Sequence, residues 1–328
     1  MCDMQVNKIP FLKGETGFFY YHQWVPDEPQ AWLHIMHGMS EHSARYNEFA
    51  KFLCKKGILV TAGDHRGHGK TGEAMSSNFH LADCDGWNKM VDDQLQFITH
   101  IKQTYDLPLM LMGHSMGSFL AIHFCQKFGQ HLTESLNHKL SGLILSGSNY
   151  DVPKTWKAAL YIANFERWRV GSRNSSSLLE KMSFGAFNNA FKPARTKSDW
   201  LSRDASMVDR YIEDPHCGDP LTTQSWCDFL EGMAELCDSR WLAKINKDLP
   251  IYLFSGQLDP VSKNGKGVEK LKQALLKSGI QNIDMLLYPE ARHETLNEIN
   301  RNEVYSDVFN WIKSRIPESS PPIFKDLE

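Results

Sequence analysis

A serine flanked by glycines is the first feature of this sequence that could do chemistry. Residues 113–117, Gly-His-Ser-Met-Gly, have the form G-x-S-x-G and stand between an apolar run at 107–112 and a helix-compatible segment at 118–128. A tight strand-to-helix turn requires glycine beside the serine, because the serine backbone is strained and its neighbours approach closely. The turn exposes the hydroxyl of Ser115 and places the Met116 N–H at a helix N-terminus, where an oxyanion is stabilised. We therefore predict that Ser115 is a nucleophile and that Met116 is an oxyanion donor.

A serine nucleophile needs a general base and a carboxylate that orients this base. After a G-x-S-x-G turn the chain order is serine, acid and histidine, with the last two at the ends of later strands. Asp259 follows an apolar run at 251–254, and His293 follows another at 283–287. We predict that His293 is the base and that Asp259 orients it. Asp151, soon after the apolar run at 142–145, stays open as the alternative acid.

The second oxyanion donor is expected from a loop that follows an earlier strand. Residues 37–42, His-Gly-Met-Ser-Glu-His, come directly after the apolar run at 31–36. Gly38 allows the backbone to turn toward the serine, and we assign the second donor to the Met39 N–H. His37 is interpreted as a structural histidine, because His293 already provides the base.

Other histidines and glycines allow two further kinds of site. Two histidine pairs have i, i+3 spacing, His34 with His37 and His65 with His68. Neither pair belongs to a motif such as H-E-x-x-H, so we predict no metal centre. Residues 67–72 match the dinucleotide pattern G-x-G-x-x-G, but they lie in a charged loop with no obvious helix beginning at the glycines. We interpret this segment as a structured loop and expect no cofactor.

The candidate residues follow short apolar runs that alternate with helical patterns. Continuous apolar runs bounded by turn residues are typical of strands buried on both faces. Their alternation with helices predicts an α/β fold with a mostly parallel central sheet flanked by helices, in which chemistry lies at the carboxyl ends of the strands. The predicted strands are 31–36, 58–62, 107–112, 142–145, 251–254 and 283–287, and the predicted helices are 45–55, 87–104, 118–128, 268–277 and 296–316.

One long interval has no strand pattern. Residues 148–220 carry Trp and Phe among polar residues with Gly, Asn and Ser breaks. We predict that this interval is an inserted helical cap, that 1–147 and 221–316 form the core, and that 317–328 is a C-terminal tail. Residues 154–203 hold ten basic side chains against three acidic ones. This charge indicates either a solvated helical face or a peripheral contact with anionic membrane.

Composition limits the remaining possibilities. The 328 residues include 36 Lys and Arg against 39 Asp and Glu, and 41% are hydrophobic. These values indicate an ordinary globular protein and give no reason to expect a nucleic-acid partner. The seven scattered cysteines contain no C-x-x-C, which argues against a disulfide framework or a structural zinc site and favours a reducing compartment. No segment is apolar and long enough for a signal peptide or a membrane span, so we predict a cytoplasmic protein.

Five segments in the correct order carry a family resemblance: HGMSEHSARY, DHRGHGKT, GHSMGS, SGQLDPVS and YPEARHETLNE. Together they resemble the monoglyceride lipase and lysophospholipase-like branch of the α/β-hydrolases, a serine aminopeptidase-related family, and residues 197–205 are similar to its bacterial members. The likeness covers roughly residues 15–315. It implies Ser115, Asp259 and His293 as a catalytic triad, with Met39 and Met116 as oxyanion donors. The implied substrate is a small amphiphilic ester, such as a monoacylglycerol or lysophospholipid, cleaved through an acyl-Ser115 intermediate without a cofactor.

Three alternative functions stay open at the level of sequence. A peptidase or amidase with the same triad would need an acidic residue near the site to anchor the substrate amine. A non-catalytic binding protein on this fold would usually have lost part of the triad, whereas all three members are present. A haloperoxidase or dehalogenase would call for a different nucleophile or a less polar site.

Overall fold

The computed structural model of this protein describes residues 2–11, 17–135 and 140–316, and the predicted tail lies outside them. Eight strands form a single sheet, in the order β1-β2-β4-β3-β5-β6-β7-β8. Their bounds are β1 (Gln5–Pro10), β2 (Phe18–Trp24), β3 (Ala31–Met36), β4 (Ile58–Gly63), β5 (Leu109–His114), β6 (Gly142–Ser146), β7 (Ile251–Gly256) and β8 (Ile283–Tyr288). Strands β1, β2 and β4 are antiparallel neighbours, and all the later pairs are parallel. The predicted mostly parallel sheet is confirmed.

Twelve α-helices within the described residues surround the sheet. They are α1 (Asn47–Cys54), α2 (Gly69–Ala74), α3 (Gly86–Lys102), α4 (Met116–Ser135), α5 (Pro153–Val170), α6 (Ser177–Met182), α7 (Phe184–Phe187), α8 (Ala205–Glu213), α9 (Thr223–Leu236), α10 (Ser239–Leu242), α11 (Lys266–Lys277) and α12 (Arg301–Lys313). Short 3₁₀ segments cover Ser43–Tyr46, Asn188–Phe191 and Thr295–Asn297.

The central strands are buried on both faces. Every residue of β3, β4, β5, β6 and β7 is buried, which explains their continuous apolar sequences. One face of the sheet packs against α3, α4, α9 and α11, and the other packs against α1 and α12. This packing holds the carboxyl ends of β3, β5, β7 and β8 along one edge, where the loops with the candidate residues begin.

Three strands differ from the predicted pattern: β1 and β8 at the two edges of the sheet, and β2 beside β1. β1 and β2 were not predicted; in both, exposed and half-exposed residues interrupt the apolar pattern. β8 was predicted as a fully buried strand, but as an edge strand it alternates between exposed and partly buried residues. A strand with one solvated face therefore lacks the continuous apolar run used to find the others.

The glycine-rich loop after β4 also differs from its prediction. A short helix, α2, does begin at Gly69, although no helix was expected there. The Asp64 carboxylate accepts a hydrogen bond from the Lys70 N–H at 2.9 Å. A Cβ added at Gly69 would lie 2.5 Å from the same carboxylate. The anion at this helix terminus is thus a side chain of the chain itself, in the position that a nucleotide phosphate takes in dinucleotide sites.

One cysteine pair corrects the prediction from cysteine spacing. Cys2 and Cys54 form a disulfide with their Cα atoms 5.8 Å apart. Because 52 residues separate them in sequence, only the fold shows that the segment before β1 passes the end of α1. The scatter of the cysteines is therefore no indication of a reducing compartment. The other cysteines, at 84, 125, 217, 227 and 237, are free thiols.

The interval without strands is helical in the structure. Helices α5 to α8 lie between β6 and α9, and α5 packs on α9, whose residues are almost all buried. None of the helices within the described residues has the length and apolarity that crossing a bilayer requires.

Candidate active site

Ser115 occupies a strained turn between β5 and α4. Its φ is +51°, in the left-handed region that residues with a Cβ rarely adopt. Its N–H donates to the carbonyl of Ser146 at 2.9 Å, which ties the turn to β6. The carbonyl of Ser115 accepts from the Ser118 N–H at 2.9 Å and from the Ser118 hydroxyl at 2.6 Å. Contacts on both sides therefore hold the serine in this conformation.

The two glycines of the motif are required by close approach of the backbone. A Cβ on Gly113 would lie 2.2 Å from the carbonyl oxygen of Gly117, and a Cβ on Gly117 would lie 2.0 Å from that of Met36. Both distances are far shorter than any van der Waals contact. The G-x-S-x-G spacing thus follows from the crossing of α4 over the ends of β3 and β5.

Asp259 and His293 form a buried hydrogen-bonded pair. The Nδ1 of His293 lies 3.0 Å from Oδ1 of Asp259, and both side chains are almost completely buried. The Asp259 carboxylate also accepts from the Ser255 hydroxyl at 2.8 Å and from the Val261 N–H at 2.8 Å. These bonds fix the carboxylate, which in turn fixes the orientation of the imidazole.

The pair favours a charged imidazole. Burial opposes protonation of His293, but the Asp259 carboxylate outweighs it and raises the pKa of the imidazole above its usual value. Burial also opposes ionisation of Asp259, yet the charge and hydrogen bond of His293 hold the pKa of that carboxyl below its usual value. The positive charge that forms when the histidine accepts a proton is therefore stabilised.

Two observations place the His293 ring near the turn that carries Ser115. His114 directly precedes Ser115, and its ring centroid lies 4.7 Å from that of His293. A Cβ added at Gly147 would lie 2.9 Å from Cε1 of His293, so glycine there makes room for the ring. Since Nδ1 is bound to Asp259, Nε2 is the nitrogen left to contact a serine hydroxyl.

Asp151, the alternative acid, is bound to a lysine. Its carboxylate binds the Lys263 ammonium at 2.7 Å, and this bond, opposed by partial burial, lowers the pKa of Asp151. The structure therefore brings His293 together with Asp259 and pairs the alternative acid with a lysine.

The loop after β3 lies against Ser115. A Cβ added at Gly38 would lie 3.3 Å from Cβ of Ser115. The Gly38 N–H donates to the Glu41 carboxylate at 2.5 Å, and Met39, the next residue, lines the same cavity as Ser115. His37 accepts from the His65 N–H at 2.9 Å, and its Nδ1 lies 2.7 Å from the Gly38 carbonyl. Both ring nitrogens of His37 are therefore engaged by the backbone of these loops. This agrees with the interpretation of His37 as a structural histidine.

A buried ion-pair network that the sequence did not indicate lies behind this loop. Arg45 donates to Glu41 at 2.6 Å and to both carboxylate oxygens of Glu294 at 2.6 and 2.7 Å. Glu294 follows His293 directly, whereas Glu41 holds Gly38. The i, i+4 spacing of Glu41 and Arg45 was a local signal for one half of the network. Its link to Glu294, 249 residues away, required the fold.

Trp200 also lies next to the site, and the sequence did not predict a role for it. Its ring centroid lies 5.1 Å from that of His293 at an interplanar angle of 32°, and its carbonyl accepts the His293 N–H at 3.4 Å. Trp200 belongs to the interval between β6 and α9, so this interval covers the buried face of the histidine. The run of aromatic residues at 156–200 was the available signal, but it did not single out one ring.

The paired histidines are held by hydrogen bonds among themselves and with their neighbours. Nε2 of His34 lies 2.8 Å from the side-chain Oε1 of Gln94, and Nε2 of His65 lies 3.2 Å from the backbone carbonyl oxygen of His37. Burial lowers the pKa of His34 to about 4, and it also lowers the pKa values of His37, His65 and His68. These side chains support the loops after β3 and β4.

A cavity of 340 Å³ opens over Ser115. Met39 and Met116 line it beside the serine, and the surrounding wall is mostly aromatic and aliphatic. The apolar wall comes from the core and from the interval above it, and includes Phe119, Leu179, Phe184, Trp200, Trp226 and Phe229. Its polar side chains include the ion pair of Asp151 with Lys263. Such a pocket suits a ligand with one long apolar part.

The fold and the arrangement of these residues define an α/β-hydrolase. A strained serine follows β5, an aspartate follows β7, and a histidine follows β8, in the order and places of that class. The family model described as "Serine aminopeptidase, S33" matches residues 27–300, and the chain belongs to this family.

Comparison with known proteins indicates the reaction class. Monoglyceride lipase from Homo sapiens is 28% identical over 96% of this chain and 94% of its own length. A carboxyl esterase from Bacillus coagulans, solved in complex with glycerol, superimposes with a TM-score of 0.85 at 26% identity, over 96% of this chain and 99% of that chain. A soluble variant of monoglyceride lipase from Saccharomyces cerevisiae shares the fold, with a TM-score of 0.72 at 21% identity over 97% of both chains. The chain is a serine hydrolase that cleaves carboxylic esters.

Proposed function

We propose that this protein hydrolyses monoacylglycerols or lysophospholipids through an acyl-Ser115 intermediate. The observation that supports this most is the 340 Å³ cavity, because its mostly apolar wall begins at Ser115. An acyl chain in this cavity would bring its ester carbonyl to the serine. The human relative at 28% identity is a monoglyceride lipase, which favours the same class of substrate.

In the proposed mechanism His293 acts as the general base. Its Nε2 removes the proton of the Ser115 hydroxyl while Oγ attacks the ester carbonyl, and Asp259 stabilises the imidazolium through Nδ1. The imidazolium then protonates the leaving alcohol. A water molecule, deprotonated by the same nitrogen, cleaves the acyl-serine and regenerates the hydroxyl.

The oxyanion donors in this proposal are the N–H groups of Met39 and Met116. Both residues line the cavity beside Ser115. Met116 is the first residue of α4, where a helix leaves its N–H groups without an acceptor of its own. The helix terminus adds a favourable electrostatic potential for a negative oxygen.

We propose further that residues 148–220 form a cap that closes the cavity and contacts anionic membrane. A stripe on α5 supports the contact: Lys154, Lys157, Tyr161, Phe165 and Trp168 repeat at helical spacing and are all exposed. Tyr161 and Trp168 are each 79% exposed. Aromatic rings beside lysines are suited to the boundary between lipid headgroups and acyl chains.

The central test is covalent labelling with a fluorophosphonate probe. We expect labelling of the wild-type protein and none of Ser115→Ala. Ser183→Ala serves as the matched control, because Ser183 also lines the cavity. Undiminished labelling of Ser115→Ala would overturn the assignment of the nucleophile.

A substrate panel tests the proposed class against a peptidase. Among the described residues of the cavity wall, Asp151 is the acid that could anchor an amine, but Lys263 neutralises it. We therefore expect turnover of long-chain monoacylglycerol and lysophospholipid, and little turnover of aminoacyl-anilides. A higher kcat/KM for the anilides would favour the peptidase instead.

A further inference from the structure

Three side chains with metal-binding atoms converge where α8 ends against the loop after β3. They are His42 in that loop and Asp214 and Cys217 in the segment after α8. Nε2 of His42, a carboxylate oxygen of Asp214 and Sγ of Cys217 all lie within 4.8 Å of one another. We infer that these three side chains bind one Zn²⁺ ion, at a site separate from the proposed catalytic triad.

The donor types select the ion. One thiolate, one imidazole and one carboxylate form a set that zinc prefers, whereas Ca²⁺ and Mg²⁺ are bound by oxygen ligands. Nε2 of His42 now lies 2.8 Å from Oδ2 of Asp214, as a hydrogen bond. Tetrahedral bonds of about 2.0–2.2 Å would place these two atoms roughly 3.3 Å apart. This pair would therefore separate by roughly half an ångström, and Sγ of Cys217, within 4.8 Å of both atoms, would complete the protein ligands. Water can occupy the fourth position.

The surrounding loop already orients the carboxylate. Oδ1 of Asp214 accepts the His216 N–H at 2.9 Å, and the Asp214 carbonyl accepts the Cys217 N–H at 3.0 Å. Burial opposes ionisation of Asp214, but the hydrogen bonds from His42 and His216 lower the pKa of its carboxyl. The side chain of Asp214 is 27% exposed, which gives an ion a route from solvent.

The local charge also favours a cation. Cys217 interacts electrostatically with Arg45, Asp214, Glu41 and Glu294. These are three carboxylates against one guanidinium, in a largely buried region where charges are weakly screened. A divalent ion would balance the excess of negative charge once the thiol has lost its proton.

The proton balance of binding is defined by the three ligands. The Cys217 thiol must lose its proton to bind zinc, because the thiolate is the form that coordinates the metal. On binding, this proton passes to the buffer, and His42 binds the ion through an Nε2 that carries no hydrogen. The thiol therefore contributes one proton for each Zn²⁺ bound.

The ion would join the segment after α8 to the loop that carries Met39. Two donors from that region already reach the Ser40 carbonyl: the Gly218 N–H at 3.0 Å and the Tyr211 hydroxyl at 3.1 Å. The Ser40 hydroxyl donates in return to the Asp219 carbonyl at 2.8 Å. Because zinc would bind the folded arrangement and not the separated segments, we expect it to raise the Tm.

The test is metal titration of the EDTA-treated full-length protein. We expect about one Zn²⁺ per chain by equilibrium dialysis and elemental analysis, a Tm increase of several degrees, and about one proton released. Titration with Co²⁺ should produce a thiolate-to-metal charge-transfer band. Since loss of an outer-shell partner alone costs about 10–100-fold in metal affinity, Cys217→Ser and Asp214→Asn should each weaken Zn²⁺ binding at least about 100-fold.

Cys84→Ser is the matched control, because Cys84 is an exposed thiol outside the cluster. It should bind Zn²⁺ and Co²⁺ as the wild type does. Metal-free Tm values show whether each variant is folded. Because two ligand residues are replaced separately, the test still stands if one of the two variants misfolds. A charge-transfer band that persists in Cys217→Ser, or that disappears in Cys84→Ser, would overturn the assignment, as would less than half an ion per wild-type chain.

Discussion

The guanidinium of Arg45 binds both carboxylate oxygens of Glu294, at 2.6 and 2.7 Å, and Glu294 directly follows His293 in the sequence. Arg45 also binds Glu41, whose carboxylate holds the Gly38 N–H next to Ser115. One buried side chain thereby joins the loop of the proposed base to the loop of a proposed oxyanion donor. Both loops are needed for the proposed chemistry, and neither is near the other in sequence.

Replacing Arg45 by methionine should be strongly destabilising. Two buried carboxylates would lose their shared partner, at a cost of about 3–5 kcal/mol in the free energy of unfolding. Urea denaturation of Arg45→Met measures this cost. Arg240→Met is the control, because the Arg240 side chain is 86% exposed and a surface ion pair contributes about 0–1 kcal/mol. Equal losses in the two variants would contradict a special role of the buried pair.

Asp259→Asn should reduce kcat by about 10⁴ while leaving the fold intact, because an amide favours the wrong tautomer of His293. The comparison variant is Asp151→Asn, which removes a carboxylate bound to Lys263 and should change kcat little. Steady-state kinetics with a short p-nitrophenyl ester distinguishes the two. The assignment of the acid fails if Asp151→Asn is the more damaging substitution.

The pH dependence of kcat/KM should report the ionisation of His293. The neutral imidazole is the active form, so activity should fall as the pH drops through the pKa of His293. Because burial is outweighed by the Asp259 carboxylate, that pKa lies above its usual value of 6.5. The residual activity of Asp259→Asn should therefore have its acidic limb at lower pH. An unchanged midpoint in this variant would show that another group controls the limb.

Gly117→Ala should prevent folding of the active-site turn. Its Cβ would lie 2.0 Å from the Met36 carbonyl oxygen, and the rigid backbone of β3 cannot give way. We expect loss of soluble protein or of fluorophosphonate labelling, as seen by gel analysis of expressed fractions. Gly185→Ala is the matched control, since its nearest neighbour is an ordinary 3.5 Å away. A soluble, fully labelled Gly117→Ala protein would contradict the close crossing of α4 over β3.

The sequence predicted those parts of the molecule that depend on local patterns. Ala31–Met36 was predicted at its observed bounds, because all six residues are buried and apolar residues dominate. Ser115 was singled out because the close contacts of Gly113 and Gly117 demand glycine at fixed spacing. Asp259 and His293 could be predicted as the acid and the base because each follows a predicted strand, in the chain order serine, acid, histidine. Their 3.0 Å hydrogen bond itself comes from the structure.

Features made by distant segments could not be predicted. The Cys2–Cys54 pair, the contact of Trp200 with His293 and the bond from Arg45 to Glu294 each join residues that no local pattern relates. Strands β1 and β2 were missed because exposed and half-buried residues interrupt their apolar patterns. Charge counting gave the basic character of 154–203 but could not show that Arg169, Arg173 and Arg195 pair with nearby carboxylates.

The α5 stripe yields the prediction that concerns membranes. With several arginines of the region neutralised by ion pairs, Lys154 and Lys157 stand beside the exposed rings of Tyr161, Phe165 and Trp168. Each lysine near an anionic surface contributes up to about 1 kcal/mol. Replacing both by glutamine should therefore weaken binding to phosphatidylglycerol vesicles by up to about 30-fold, since 1.4 kcal/mol is tenfold. Hydrolysis of a soluble short ester should remain unchanged.

Co-sedimentation at low and high salt separates the two contributions to this binding. The lysines act through charge, so their effect should disappear at high salt and on phosphatidylcholine, because salt shortens the Debye length. Trp168→Ser should instead weaken binding to both lipids at both salt concentrations, through lost apolar contact. Ile299→Ser is the control for an exposed apolar side chain of the core, and it should bind as the wild type does. If the wild-type protein binds neither lipid, or if Ile299→Ser is as impaired as Trp168→Ser, the stripe on α5 is a solvated helix face and substrate reaches Ser115 from solution.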